Sequence, residues 1–93
     1  MIQSTKGKLI QDILANTASK GFPAGLMKAA RRKLTMLDAA RELADLHASP
    51  ANRLKALQRD RKGQHSIQVN DQWRLCSVWT ASGPADVEFA DYH

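Results

Sequence analysis

The chain holds a single cysteine, Cys76, among its 93 residues. One thiol closes no internal disulfide and builds no Cys-rich zinc site. Long apolar runs are missing too. None approaches the ~20 residues that a membrane-spanning helix needs, and the opening MIQSTKGKLIQDILAN has no signal-peptide apolar core. The expectation is a soluble, cytoplasmic protein with no membrane partner. No Gly-rich phosphate loop, serine-nucleophile motif or pair of catalytic carboxylates is present. The three histidines, His47, His65 and His93, lack metal-ligand spacing, so neither a metal nor another cofactor is expected. With no repeat and no low-complexity stretch, residues 1–93 read as one domain with a modest core.

Acidic residues are the next shortage. Nine Asp and Glu face fourteen Lys and Arg, a formal net charge of +5. That balance suits a polyanion such as nucleic acid, or an acidic protein. Arg53, Lys55, Arg59, Arg61 and Lys62 fall within ten positions, with only Asp60 among them. Such a run taken alone is a solvated loop. Here it immediately precedes a strand that carries another cation, Arg74, so the charges can converge.

The apolar pattern divides the chain into an α half and a β half. Residues 1–5 suit a short strand. In KLIQDILAN, Leu9, Ile10, Ile13 and Leu14 share a face at helical spacing. From Ala24 to His47, Leu26, Ala30, Leu34, Leu37, Ala40, Ala44 and Leu46 recur at offsets that predict one long amphipathic helix. Pro23 suits its first turn, and Ser49-Pro50 ends it. The period then becomes two. Ile67 and Val69 alternate with Ser66 and Gln68, Asn70-Asp71 supply a turn, and Trp73, Leu75 and Ser77 oppose Arg74, Cys76 and Val78. After Ser82-Gly83-Pro84, Val87 and Phe89 mark a last strand. Two helices followed by an antiparallel meander make an α+β fold, with the helices on one face of the sheet. If Trp73 and Leu75 face those helices, Arg74 lies on the opposite, solvent-facing side and is available to an anion. Trp79 reads either as core or as a platform for a base.

The terminal Asp91-Tyr92-His93 offers a carboxylate, a phenol and an imidazole that titrates near neutrality. These are general acid–base groups, although three polar residues at a chain end equally suit a frayed tail. His47 suits a helix end, where its cation meets the dipole. His65, at the hairpin entrance near the basic run, is a candidate phosphate contact.

The stretch RDRKGQHSIQVNDQWRLCSVW followed by DVEFADYH resembles the HigB branch of the RelE/ParE toxin superfamily. MIQSTKGK, FPAGLMKAARRKLTMLDAA and NRLKAL precede them in the family's order, so the likeness runs over nearly the whole chain. The resemblance implies a RelE-like, microbial-ribonuclease type of fold: two N-terminal helices packed on a small antiparallel sheet. It implies a ribosome-dependent endoribonuclease that cuts mRNA, neutralised by a HigA-like helix-turn-helix antitoxin. By the same likeness, Arg74 stabilises the phosphate, Arg61 and Lys62 clamp the RNA backbone, and Asp91, Tyr92 and His93 carry the acid–base work. The chain departs from the family pattern at Arg59, where relatives have the Gly of L-x-G-D-R. It departs again at Gln68, where a basic residue is common. A phosphate contact displaced by these changes falls to Lys55 or Arg59. Two other functions compete: a ParE-like toxin that inhibits DNA gyrase, and a nucleic-acid- or antitoxin-binding module of the same fold with weakened catalysis.

Overall fold

The computed structural model describes residues 1–91. Two α-helices come first, α1 over Lys8–Ala15 and α2 over Met27–Ala39. The sheet follows, with β1 (Lys55–Ala56), β2 (Gln64–Gln68), β3 (Trp73–Thr80) and β4 (Gly83–Asp91) in spatial order β1-β2-β3-β4, all neighbours antiparallel. The expected α+β arrangement is the one the chain adopts. Short 3₁₀ segments cover Leu43–Ala48, Pro50–Asn52 and Arg59–Arg61.

Ile10 and Ile13 of α1 are fully buried, as their spacing requires, but Leu14 is 49% exposed. An eight-residue helix has room for a narrow buried stripe only, and Leu14 falls off its edge. Asn16 ends the helix in the left-handed conformation. Buried Asp12 then takes the Ser19 hydroxyl at 2.5 Å and the Ser19 N–H at 3.2 Å, which sets the course of the loop towards α2.

The long helix expected over 24–47 is corrected to Met27–Ala39. Gly25, at φ +77, excludes the first residues, and Pro23 sits in a preceding turn closed by the Leu26 N–H. At the other end the Asp45 carboxylate accepts the N–H groups of Arg41 and Glu42, at 2.8 and 3.2 Å. This local capture competes with the helical ladder, turns the backbone extended at Ala40 and starts the 3₁₀ segment Leu43–Ala48. Apolar periodicity continues across the break because both segments pack on the same core.

That core lies between the helices and one sheet face. Ile10, Ile13, Leu34 and Leu37 meet Ile67, Leu75, Val87 and Phe89, and Trp73 stacks on Phe89 with ring centroids 4.9 Å apart. Trp79 packs against the same cluster, which assigns it to the core. On the other face Cys76 and Ala90 form a small second cluster with Leu57.

The strand expected over residues 1–5 is a looser pairing along the outer edge of β4. Thr5 forms a parallel bridge with Val87, and the N–H groups of Gln3 and Lys6 donate to the carbonyls of Pro84 and Val87 at 2.8 and 2.9 Å. It covers an edge that would otherwise expose unpaired backbone. Opposite, the β3–β4 register slips by one residue between Cys76 and Val78, and Asp86, at φ +51, absorbs the bulge.

Candidate active site

Residues paired across an antiparallel sheet share a face, so the register decides which side chains meet. One row runs Lys55, Ser66, Cys76, Glu88. The next runs Gln68, Arg74, Ala90. Both rows lie on the face away from the helices, because Ile67, Leu75 and Phe89 occupy the alternate row in the core. Arg74 is therefore on the side its parity predicts.

Arg74 is not a loose surface cation, however. It is half-buried and held by a fork of contacts. Its Nε donates to the Ser66 hydroxyl at 2.7 Å, Nη2 to the Arg53 carbonyl at 2.7 Å, and Nη1 more weakly to Gln68 Oε1 at 3.4 Å. These acceptors are neutral. They set the orientation of the guanidinium plane, which a bidentate anion contact requires. The glutamine that stands where the family often has a cation thus acts as an acceptor for Arg74.

Arg61 reaches the same face from the 3₁₀ segment Arg59–Arg61. Its Nη1 donates to Gln64 Oε1 at 3.1 Å and forms an ion pair with Glu88 Oε1 at 2.9 Å. Beneath lies Cys76, fully buried. Burial pushes its thiol up from the ordinary range; Arg61 draws it down, Glu88 pushes it up again, and Arg74 draws it down. The balance is upward, so the thiol is a neutral floor to the site. The charges acting on it show that Arg61, Arg74 and Glu88 converge on one spot.

The remaining expected residues divide. Lys55 is exposed at the start of the Ser66 row, and Arg59 and Lys62 are exposed beside Arg61. Arg59 has φ +58, the left-handed region in which glycine is at ease, and this is the position where the family pattern has Gly. His65 is not brought to the site. It pairs with Ala56 and Ser77 on the helix side of the sheet, packed near Leu43, Leu46 and Leu54, with its Nδ1 buried and unpartnered among the described residues. The structure thus places it, half-buried, on the face opposite Arg74. Asp91 pairs with Trp73, so its parity differs from that of Arg74; its Oδ2 accepts the Gln72 side-chain amide at 2.8 Å. Tyr92 and His93 lie outside the described residues.

Sequence reading missed Ser66, Gln64 and Glu88 as members of the site. Ser66 and Glu88 share the strand parity of Arg74 and Cys76, a signal that becomes readable only with the register. The carbonyl of Arg53 had no signal at all, since it depends on a left-handed backbone at φ +44.

The arrangement is a small α+β domain with a sheet face of fixed cations. Residues 6–93 match the family model described as the RelE-like toxin of type II toxin–antitoxin system HigB. The chain is 41% identical over 72 residues to Toxin HigB-1 of Vibrio cholerae, covering 77% of this chain and 75% of that protein. It is 28% identical over 93 residues to Endoribonuclease HigB of Proteus vulgaris, across the full length of both. The chain belongs to the HigB-like toxin family, the toxins of type II toxin–antitoxin systems.

Proposed function

We propose that this toxin is an endoribonuclease that cuts mRNA on the ribosome and so stops translation, with a HigA-like helix-turn-helix antitoxin as its inhibitor and the cytoplasm as its place of action. The observation that carries this reading is the Arg74 guanidinium, oriented by Ser66, Gln68 and the Arg53 carbonyl on the sheet face that Arg61 also reaches. A full-length relative is named an endoribonuclease, which agrees with it.

RNA cleavage by the 2′-hydroxyl needs few parts. A base takes the hydroxyl proton, the oxygen attacks the adjacent phosphorus, the bond to the 5′-oxygen breaks, and an acid returns a proton to that oxygen. Charge builds on the non-bridging oxygens as the phosphorus becomes five-coordinate. Arg74 is the group to meet it, since its orientation is set before substrate arrives. Arg61 and Lys62, with Lys55 and Arg59 at the rim, hold the backbone on either side. Tyr92 and His93 carry the proton transfers in this scheme, with Asp91 orienting them. A flat, cationic face binds RNA but does little to bend it into line for attack, and a ribosome holding the mRNA supplies that geometry.

The test is cleavage of mRNA on programmed ribosomes by the purified protein, with the 5′ ends of the products mapped. Wild-type protein is expected to cut within the decoded region and Arg74→Ala to lose nearly all activity. Intact mRNA together with inhibited DNA gyrase would replace this reading with the ParE-like one. Intact mRNA with active gyrase and retained RNA binding would leave a binding module.

A further inference from the structure

A lysine is buried in the middle of α2. Lys33 is 3% exposed, and its Nζ donates to Asn52 Oδ1 at 2.6 Å. Among the described residues no carboxylate pairs with it. Burial draws its pKa down, and the neighbouring Arg32 charge adds to the effect. A cation kept in so costly a place needs a reason other than stability, because an apolar side chain of the same length would pack there at less expense.

Asn52 supplies the reason. It is 2% exposed, and while its oxygen accepts the hydrogen bond from Lys33 Nζ its amide donates to the Leu46 carbonyl at 3.1 Å. The 3₁₀ turn Pro50–Asn52 is thereby held to α2 on one side and to the Leu43–Ala48 segment on the other. Apolar packing does not do this alone, since a groove of about 380 Å³ opens between Met36, Ala40, Leu46 and Asn52. Arg53 follows directly, in a left-handed conformation with φ +44 and ψ +54. Its carbonyl receives Arg74 Nη2. Two further acceptors of Arg74, Ser66 and Gln68, sit on β2 and are fixed by the sheet register. The Arg53 carbonyl sits on a loop, closed by the Arg53 N–H on the Pro50 carbonyl at 3.1 Å, and the buried pair ties that loop to α2.

We propose that Lys33, acting through Asn52, is a positioning residue that fixes the Arg53 carbonyl and so the outer edge of the Arg74 guanidinium. The proposal rests on the reading of Arg74 as the phosphate-stabilising group. It gives the buried cation a place in the reaction although it touches no substrate.

The experiment reads Arg74 directly, so it does not depend on cleavage. In ¹⁵N-labelled protein, hydrogen exchange at the Arg74 guanidinium, assigned with Arg74→Lys, is compared between wild type and Lys33→Met. Exchange is expected to rise about tenfold as the Arg53 carbonyl loosens. Single-turnover cleavage on programmed ribosomes is expected to fall on the order of tenfold, with KM changed by no more than about twofold. Unchanged Arg74 exchange overturns the proposal whatever happens to the melting temperature, because a purely structural pair would lower stability and leave the guanidinium alone. If wild type cuts no RNA, the functional reading fails and the exchange measurement still decides the link from Lys33 to Arg74. Should Lys33→Met not fold, Asn52→Ser shortens the same connection and carries the same readout, with faster Arg74 exchange supporting the proposal and unchanged exchange overturning it.

Discussion

Ser66 and Arg74 are diagonal neighbours, two pairs apart along the β2–β3 ladder, and the buried serine hydroxyl accepts the arginine Nε–H at 2.7 Å. The contact makes Arg74 part of the sheet rather than an ornament on it. Arg74→Ala should therefore cost about 1–3 kcal/mol of stability as well as activity, since it strips the charged donor from a partly buried acceptor set. Arg74→Lys keeps the charge but loses the fork, and should fold nearly as well while cutting at least about tenfold more slowly. Urea unfolding and cleavage on the same samples check both. A lysine variant of wild-type activity would reduce Arg74 to a point charge.

Glu88 places a carboxylate among the cations of this sheet face. Its ion pair with Arg61, both side chains about a quarter exposed, holds Arg61 over Cys76 and weakens its field. Glu88→Gln should strengthen RNA-backbone binding and steepen the slope of log K against log salt by roughly one. Weaker binding with an unchanged slope would show that the pair presents Arg61 instead of restraining it. A double-mutant cycle between Arg61→Ala and Glu88→Ala should return a coupling of about 0.2–1 kcal/mol.

The raised thiol of Cys76 has a signature at high pH. The unfolded chain loses this proton near pH 9.0, whereas the folded protein keeps it longer. Folding is then linked to proton retention, so this contribution is absent below about pH 9 and lowers stability as pH rises beyond it. Lys33 acts in the opposite sense: its folded pKa lies below 10.5, so the unfolded state holds the extra proton and stability rises with pH there. Comparing Cys76→Ser with wild type isolates the thiol. Above pH 9 the variant should lose stability less steeply, and in native wild-type protein the thiol should resist iodoacetamide until the chain unfolds. Rapid native alkylation would mean that the site floor is open.

Arg59→Gly relieves a left-handed backbone at φ +58. The gain in the folded state, set against the extra freedom of glycine in the unfolded chain, should stabilise by up to about 1 kcal/mol. A rise of the melting temperature checks it. A fall would show that the Arg59 side chain contributes more than its conformation costs.

The sheet was readable because its pattern is strict. The alternation from Ile67 to Val69 and from Trp73 to Val78 assigns each residue a face, and that alone put Arg74 opposite the helices. Helix ends were less readable, since the Ala40 break depends on Asp45 reaching back to two N–H groups, and apolar spacing is blind to such a capture. His65 misled for a related reason. Nearness in sequence to the basic run suggested nearness in space, yet a strand sends adjacent residues to opposite sides, and His65 and Ser66 are separated by the whole sheet. What escaped altogether were backbone groups and long-range polar pairs, such as the Arg53 carbonyl and the link from Lys33 to Asn52.

The first residues of the chain are stitched to its last strand, through Gln3 to Pro84 and through Ser4 and Lys6 to Val87. These contacts join segments about eighty positions apart, the slowest kind to close because the intervening chain must be ordered first. A nascent polypeptide lacking β4 has no edge for its N-terminus to cover, no Phe89 for Trp73 to stack on and no Glu88 to complete the Lys55 row. Acquisition of the native sheet therefore waits for β4. A toxin of this family is thereby kept immature until the strand that closes its sheet has been made.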